Sequence, residues 1–216
     1  MLKLHDYWRS SAAYRTRIAL NLKGLEYQPI SHDLRRNEHH DARYRALNPQ
    51  GLVPALEIDG LVLTQSSAIL EYLDERYPTP TLLPTAAPDR AIVRGMAGII
   101  ACDIHPLNNL RVLKELKHEM HADEQQTKRW ITGWIAEGFT ALETLIGQHG
   151  GSFCFGNSPT LADCYLIPQV FSAQRYNVNL EPYPLIRAVN ERCDETPAFV
   201  RAHPRHQPDA DTVDAA

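Results

Sequence analysis

None of the four cysteines precedes residue 102: they are Cys102, Cys154, Cys164 and Cys193. With neither C-x-x-C spacing nor histidine partners nearby, they read as free, mostly buried thiols and not as a disulfide or zinc framework. A basic excess is also missing. The formal charge of −4 over 216 residues gives no electrostatic reason to expect nucleic acid or an anionic membrane as partner. Absent too is any run of about eighteen apolar residues, so no spanning helix is expected. Met1-Leu2-Lys3-Leu4-His5 passes straight into strand alternation without the apolar core of a signal peptide, which makes the cytoplasm the expected compartment. There is no internal repeat and no low-complexity segment. With 44% apolar and 22% charged residues, the chain can bury one or two ordinary cores.

What is present begins at Trp8-Arg9-Ser10-Ser11-Ala12-Ala13-Tyr14-Arg15-Thr16-Arg17-Ile18-Ala19-Leu20. A short apolar alternation hands over here to a helical pattern, with two hydroxyls at the junction. The start of a helix carries unpaired N–H groups and the positive end of the dipole, so it favours an anion such as a thiolate. No cysteine of the chain lies nearby in sequence. A sulfur nucleophile at this point would therefore arrive on a small molecule.

The texture of the chain changes near residue 80. Leu2–Tyr7 alternates as a strand, Ala12–Lys23 reads as a helix with Gly24 as its C-cap, and Tyr27–His32 as a second strand, which makes a β-α-β unit. Val53–Ile58 and Leu61–Thr64 flank Asp59-Gly60, the strongest hairpin signal present because that dipeptide suits a tight primed turn. A helix follows from Ser66, with Ile69, Leu70, Leu73 and Tyr77 on one stripe. Pro78, Pro80, Pro84 and Pro88 make a stiff connector, where the domain boundary is placed. Beyond it helical spacing dominates: Ile92 to Ile100, then Ile131 to Ile146, two helices expected to pack together. Thr160 and Asp163 read as a capping box opening a helix to about Tyr176, and another follows Pro182 and Pro184 through Arg192. The end from His203 to Ala216 reads as a strap followed by a loose tail.

A strand-helix-strand-helix-hairpin-helix segment followed by an all-helical one resembles the cytosolic glutathione transferases. The motifs narrow this to the zeta class, the maleylacetoacetate isomerases: Ser10-Ser11-x-x-Tyr14-Arg15-x-Arg17-Ile18-Ala19-Leu20, Asn48-Pro49-x-x-x-Val53-Pro54, Gln65-Ser66, Thr160–Asp163, Pro182-Tyr183-Pro184 and His203-Pro204-x-x-Gln207-Pro208-Asp209. Cys102-Asp103-Ile104-His105-Pro106-Leu107-Asn108-Asn109 is closer to the bacterial maleylpyruvate isomerase branch. The resemblance implies a thioredoxin-like α/β domain over residues 1–80 and an all-α domain over 88–216. It also implies glutathione as cofactor and a homodimer.

Carried over residue by residue, it implies that Ser10 stabilises the glutathione thiolate, with Ser11 as second hydroxyl or N–H donor. Val53-Pro54 would be the cis-proline edge that pairs with the cysteinyl backbone. Gln65 and Ser66 would take the γ-glutamyl carboxylate at a helix start, and His39 and Gln50 would reach the glycyl end. Taken singly, Ser10 and Ser66 are ordinary N-caps and His39 a solvated loop residue; only the joint pattern points to a ligand. Ala12 stands where the commonest zeta motif has cysteine, so no accessory thiol is expected.

The implied reaction is cis-trans isomerisation of an alkene conjugated to carbonyls. Rotation about an intact C=C is very slow, whereas addition of a thiolate leaves a single bond that turns before the sulfur departs. The substrate is a dicarboxylate, so cationic forks are required, and Arg9 and Arg175 are the candidates, with Arg111 a further one. His105, Asn108 and Asn109, at helical spacing on one stretch, are expected to meet glutathione or substrate oxygens. No metal is expected. Two other classes compete: a general conjugating or dehalogenating transferase, against which the paired arginines speak, and a non-catalytic binding module, against which Ser10, Val53-Pro54 and Gln65-Ser66 speak.

Overall fold

Residues 1–211 are described by the computed structural model. Strand β1 (Leu2–Asp6) lies parallel to β2 (Tyr27–Ser31), with Leu2 opposite Tyr27, and antiparallel to β3 (Ala55–Ile58), with Leu4 opposite Leu56. β3 turns back into β4 (Leu61–Thr64), giving the sheet order β2-β1-β3-β4. The turn forms because Asp59 and Gly60 both take positive φ, 51° and 78°, as a primed two-residue hairpin requires. Between β1 and β2 the chain crosses over through α1 (Ser11–Leu22), which ends at Lys23 and Gly24, the latter at φ +66°, the left-handed stop that glycine permits. After the short helix α2 (Ala42–Leu47) and the hairpin comes α3 (Ser66–Arg76), which packs against α1. Leu4, Ile18, Leu20, Leu56, Ile69 and Leu70 are fully buried, each contributing roughly 1.5–3 kcal/mol of apolar burial.

Two compact units result, Met1–Thr81 together with the chain from Asp194 onward, and Leu82–Cys193. The first break falls in the proline-rich connector, and the described chain after Asp194 groups with the sheet unit. Helix α9 (Pro197–Ala202) lies on α1, where Arg17 Nε donates to Ala202 O at 2.9 Å and Asn21 Nδ2 to Ala198 O at 2.9 Å. These attachments span 185 and 177 positions of chain, beyond any local sequence signal. The end expected to run from strap to tail, residues 203–216, is described to Asp211; residues 212–216 lie outside the described residues.

Within the second unit, α4 (Ala87–Gly98) continues into a wider helical stretch, Ile99–Ile104, where His105 N–H donates five residues back to Ile100 O. Helices α5 (Leu110–His118), α6 (Glu124–His149), α7 (Leu161–Arg175) and α8 (Pro184–Asp194) complete it. The expected partnership between the two long helices is shifted along the chain. α4 packs on α7, and α6 packs on Ile99–Ile104, because Gly138 lets the buried Ile104 side chain close on the helix backbone. The Asp163 carboxylate accepts the Thr160 and Cys154 N–H groups at 2.7 and 2.8 Å, closing the capping box read from sequence. Burial pushes its carboxyl above the ordinary range, with the donors pulling it back. Glu143 likewise accepts the Leu185 and Ile186 N–H groups at the start of α8. Among the described residues no helix is long and apolar enough to cross a membrane.

Candidate active site

The loop from β1 into α1 is held from beneath by one guanidinium. Arg17, fully buried, donates to both Asp6 oxygens at 2.7 and 2.8 Å, to Trp8 O at 2.8 Å and to Ala202 O at 2.9 Å. Burial raises the Asp6 carboxyl while the Arg17 charge beside it lowers it. On this support the chain turns through Ser10, whose N–H donates to Tyr7 O at 2.9 Å. Ser10 is the N-cap of α1: its Oγ accepts the Ala13 N–H at 3.3 Å. Used as an acceptor there, the hydroxyl keeps its own proton for donation to an anion. Ser11 opens the helix, so its N–H belongs to the first turn, which has no intrahelical acceptor. Arg9, half-buried, places its guanidinium carbon 5.3 Å from the Trp8 ring centre. Serine capping and anion stabilisation are therefore compatible at this position.

The other candidates of the first unit stand on backbone of unusual form. Val53-Pro54 is a cis peptide bond, and neither the N–H nor the C=O of buried Val53 takes a hydrogen bond among the described residues. A buried strand edge with open groups is suited to pairing with an extended peptide. Gln65 takes φ 67°, in the left-handed region, immediately before α3. Such strain in a non-glycine residue persists where surroundings enforce it, often at ligand sites. Its amide donates to Gln50 Oε1 at 2.6 Å, joining two predicted contacts that are fifteen positions apart. Ser66, buried at the first turn of α3, accepts from Arg15 Nη1 at 3.4 Å. His39 is buried in a tight turn against His40, with ring centres 3.9 Å apart, and is not the solvated loop residue that a lone histidine suggests.

The second unit holds the remaining candidates. Here the helical spacing expected for His105, Asn108 and Asn109 is replaced by a turn between the Ile99–Ile104 stretch and α5. Asn109 is the N-cap of α5 and its Oδ1 accepts the Arg111 N–H at 3.1 Å, which occupies it structurally. Asn108 donates to Ile131 O at 3.5 Å, and its buried Oδ1 has no partner among the described residues. Arg111 is exposed in the first turn of α5. Arg175 is exposed in the last turn of α7, its guanidinium carbon 5.5 Å from the Tyr176 ring centre. No group of three or more metal-ligating side chains is gathered among the described residues.

Sequence reasoning missed Arg15, Arg17 and Asp6. All three sit within or beside the strand-to-helix motif, and two arginines within the apolar stretch Ala12–Leu20, buried throughout from Ala13 to Leu20, were the available signal, since buried arginines require partners. Arg15 brings positive charge beneath Ser66, at the start of α3 where a carboxylate is favoured.

This arrangement has close counterparts. Residues 1–75 match the family model for the glutathione S-transferase N-terminal domain and residues 121–193 that for the C-terminal domain. The maleylacetoacetate isomerase of Pseudomonas aeruginosa is 50% identical over 211 residues, 96% of this chain and 98% of that protein. A holo structure of maleyl pyruvate isomerase, described as a bacterial zeta-class glutathione S-transferase, superposes with a TM-score of 0.95 at 51% identity, covering 97% of this chain and 100% of the other. The maleylacetoacetate isomerase of Anaeromyxobacter dehalogenans, with dicarboxyethyl glutathione and citrate bound in its active site, gives a TM-score of 0.87 at 42% identity over 98% of each chain. With its thioredoxin-like sheet unit and helical unit, the chain belongs to the zeta-class glutathione transferases, the maleylacetoacetate isomerase family.

Proposed function

We propose that the chain is a glutathione-dependent cis-trans isomerase converting maleylacetoacetate to fumarylacetoacetate. The observation that supports this reading above all is a proton-bearing hydroxyl at a helix start, Ser10, in the same unit as the open Val53-Pro54 edge. The residues present suit the tripeptide. Val53 offers N–H and C=O to the cysteinyl backbone, Ser66 with Arg15 beneath it suits the γ-glutamyl carboxylate, and Gln65, Gln50 and His39 remain for the two ends.

When bound, glutathione supplies a thiolate nucleophile that adds to the conjugated double bond and leaves after rotation. The chain contributes the conditions for that chemistry. Ser10 donates its hydroxyl proton to the sulfur and the first-turn N–H groups of Ser11 and Ala12 add positive potential, which together favour thiolate over thiol. Arg9 and Arg175 grip carboxylates and stabilise oxyanion charge as it develops; Arg111 and His105 are secondary candidates. Asn108 retains an unoccupied acceptor, its Oδ1, whereas Asn109 is committed to its cap.

A second substrate, maleylpyruvate, is favoured by the Cys102–Asn109 segment and by 51% identity to a maleylpyruvate isomerase. A spectrophotometric assay of both compounds, with and without glutathione, separates these readings; no isomerisation of either would reject both. Homodimerisation and a cytoplasmic location belong to the same reading, and light scattering on the purified chain tests the first.

A further inference from the structure

We propose that the C-terminal segment Gln207–Asp211 positions the β1–α1 loop, with the Asp209 carboxylate as its anchor; the inference rests on the reading of that loop as the thiol-holding element. The backbone of Trp8 is gripped on both sides. From the core Arg17 donates to Trp8 O at 2.8 Å, and from the C-terminal segment Asp209 Oδ2 accepts the Trp8 N–H at 3.1 Å. The same Asp209 oxygen accepts the Ser31 hydroxyl at the end of β2, so one carboxylate bridges loop and sheet. Ser10 N–H is bonded to Tyr7 O, the carbonyl of the same peptide group as the Trp8 N–H, which ties the placement of Arg9 and Ser10 to the placement of Trp8.

The segment is itself fastened independently of Asp209. Gln207 Nε2 donates to Arg201 O and His203 O at 2.9 and 3.0 Å. Arg35 pairs with Asp211 through both terminal nitrogens, and its guanidinium carbon lies 5.9 Å from the Tyr7 ring centre. Ala210 packs on the buried cluster of Tyr7, Trp8, Tyr44, Val53 and Ala55. That cluster contains Val53, so this short segment abuts both backbone elements assigned to glutathione. A strand-to-helix loop has no ladder to hold its peptide planes; its geometry depends on such side-chain acceptors. Displacement of a reacting group by about 1 Å costs up to about 10²-fold in rate.

The test compares Asp209→Ala with Asp209→Asn in the full chain, because asparagine keeps a carbonyl acceptor for the Trp8 N–H. In Asp209→Ala, amide exchange at Trp8 should accelerate, the thiolate fraction of bound glutathione at neutral pH should fall, and kcat should drop about tenfold, with KM for glutathione within about threefold of wild type. Asp209→Asn should restore most of each loss. The proposal is overturned if Asp209→Ala loses stability alone while kcat and thiolate fraction stay at wild-type values, or if Asp209→Asn is as impaired as Asp209→Ala. Should Asp209→Ala not fold, Asp211→Asn loosens the segment without touching the anchor; a kcat about threefold lower supports the proposal and an unchanged one overturns it. A wild-type chain with no thiolate signal at all would reject the functional reading, and the Trp8 exchange rate would still decide whether Asp209 holds the loop.

Discussion

In the sheet unit the candidate groups are carried by backbone: a helix cap at Ser10, an open strand edge at Val53, a left-handed residue at Gln65 and a first-turn serine at Ser66. The helical unit presents candidates at the ends of long side chains, Arg111 and Arg175, both exposed. Groups fixed by backbone lose little freedom when a ligand arrives, whereas an exposed arginine must be ordered on binding. On the proposed reading the sheet unit is suited to setting the state of a sulfur atom, with Arg9 as its own long-armed candidate for a carboxylate, and the helical unit to gripping carboxylates of variable length. Substitutions in the two should fail in different ways.

The largest break in that contrast is Arg17→Met. It leaves Asp6 buried without its cation and Trp8 O without its inner donor, a loss of about 3–5 kcal/mol that urea denaturation should register together with loss of glutathione binding. Wild-type stability would show that the hub does not hold the loop. Next is Arg175→Ala, which should raise the substrate KM about tenfold, as loss of a charge-assisted contact does. Its glutathione affinity should stay unchanged; a fall in glutathione affinity alone would place Arg175 on the wrong ligand.

Two glycines of α6 sharpen the packing side. A Cβ on Gly138 would lie 2.3 Å from Ile104 Cδ1, while Gly133 has nothing within 4 Å. Gly138→Ala should therefore destabilise by about 1–3 kcal/mol. Gly133→Ala should stabilise by up to about 1 kcal/mol, so thermal unfolding of the pair should move in opposite directions.

The smallest effect is one of pH. His203 Nδ1 accepts the Arg205 N–H and Nε at 3.1 and 3.2 Å, and burial with the nearby Arg205 charge brings its pKa from 6.5 down to about 4. The unfolded chain binds that proton more readily, so the stability His203 contributes is complete above pH 6.5 and is lost as pH falls toward 4. His203→Asn should flatten this part of the stability profile; an identical slope would exclude His203 as the source.

Legibility in the order of residues follows the same division. The Asp59-Gly60 turn, the Thr160–Asp163 box and the Ser10 cap can be read because each is a local arrangement between a side chain and backbone a few residues away. Ser66 and Gln65 are legible only as a helix start, since their side-chain partners Arg15 and Gln50 lie 51 and 15 positions away. Lys23 on Asp74, 51 positions apart, the return of α9 to α1, and Asp209 on Trp8 across 201 positions are hidden from such reading. Nothing in their own neighbourhoods announces them. His105 to Asn109 mislead for a related reason: helical spacing continues through the segment, but the wider Ile99–Ile104 stretch, closed by Ile104 packing on Gly138, ends there in a turn.

The central claim is that the start of α1 holds a glutathione thiolate. An ultraviolet titration of glutathione bound to wild type and to Ser10→Ala reads it directly. The account predicts ionisation below the free thiol's range in wild type and an apparent pKa higher by about one unit or more in the variant. Coincident titration curves would contradict it.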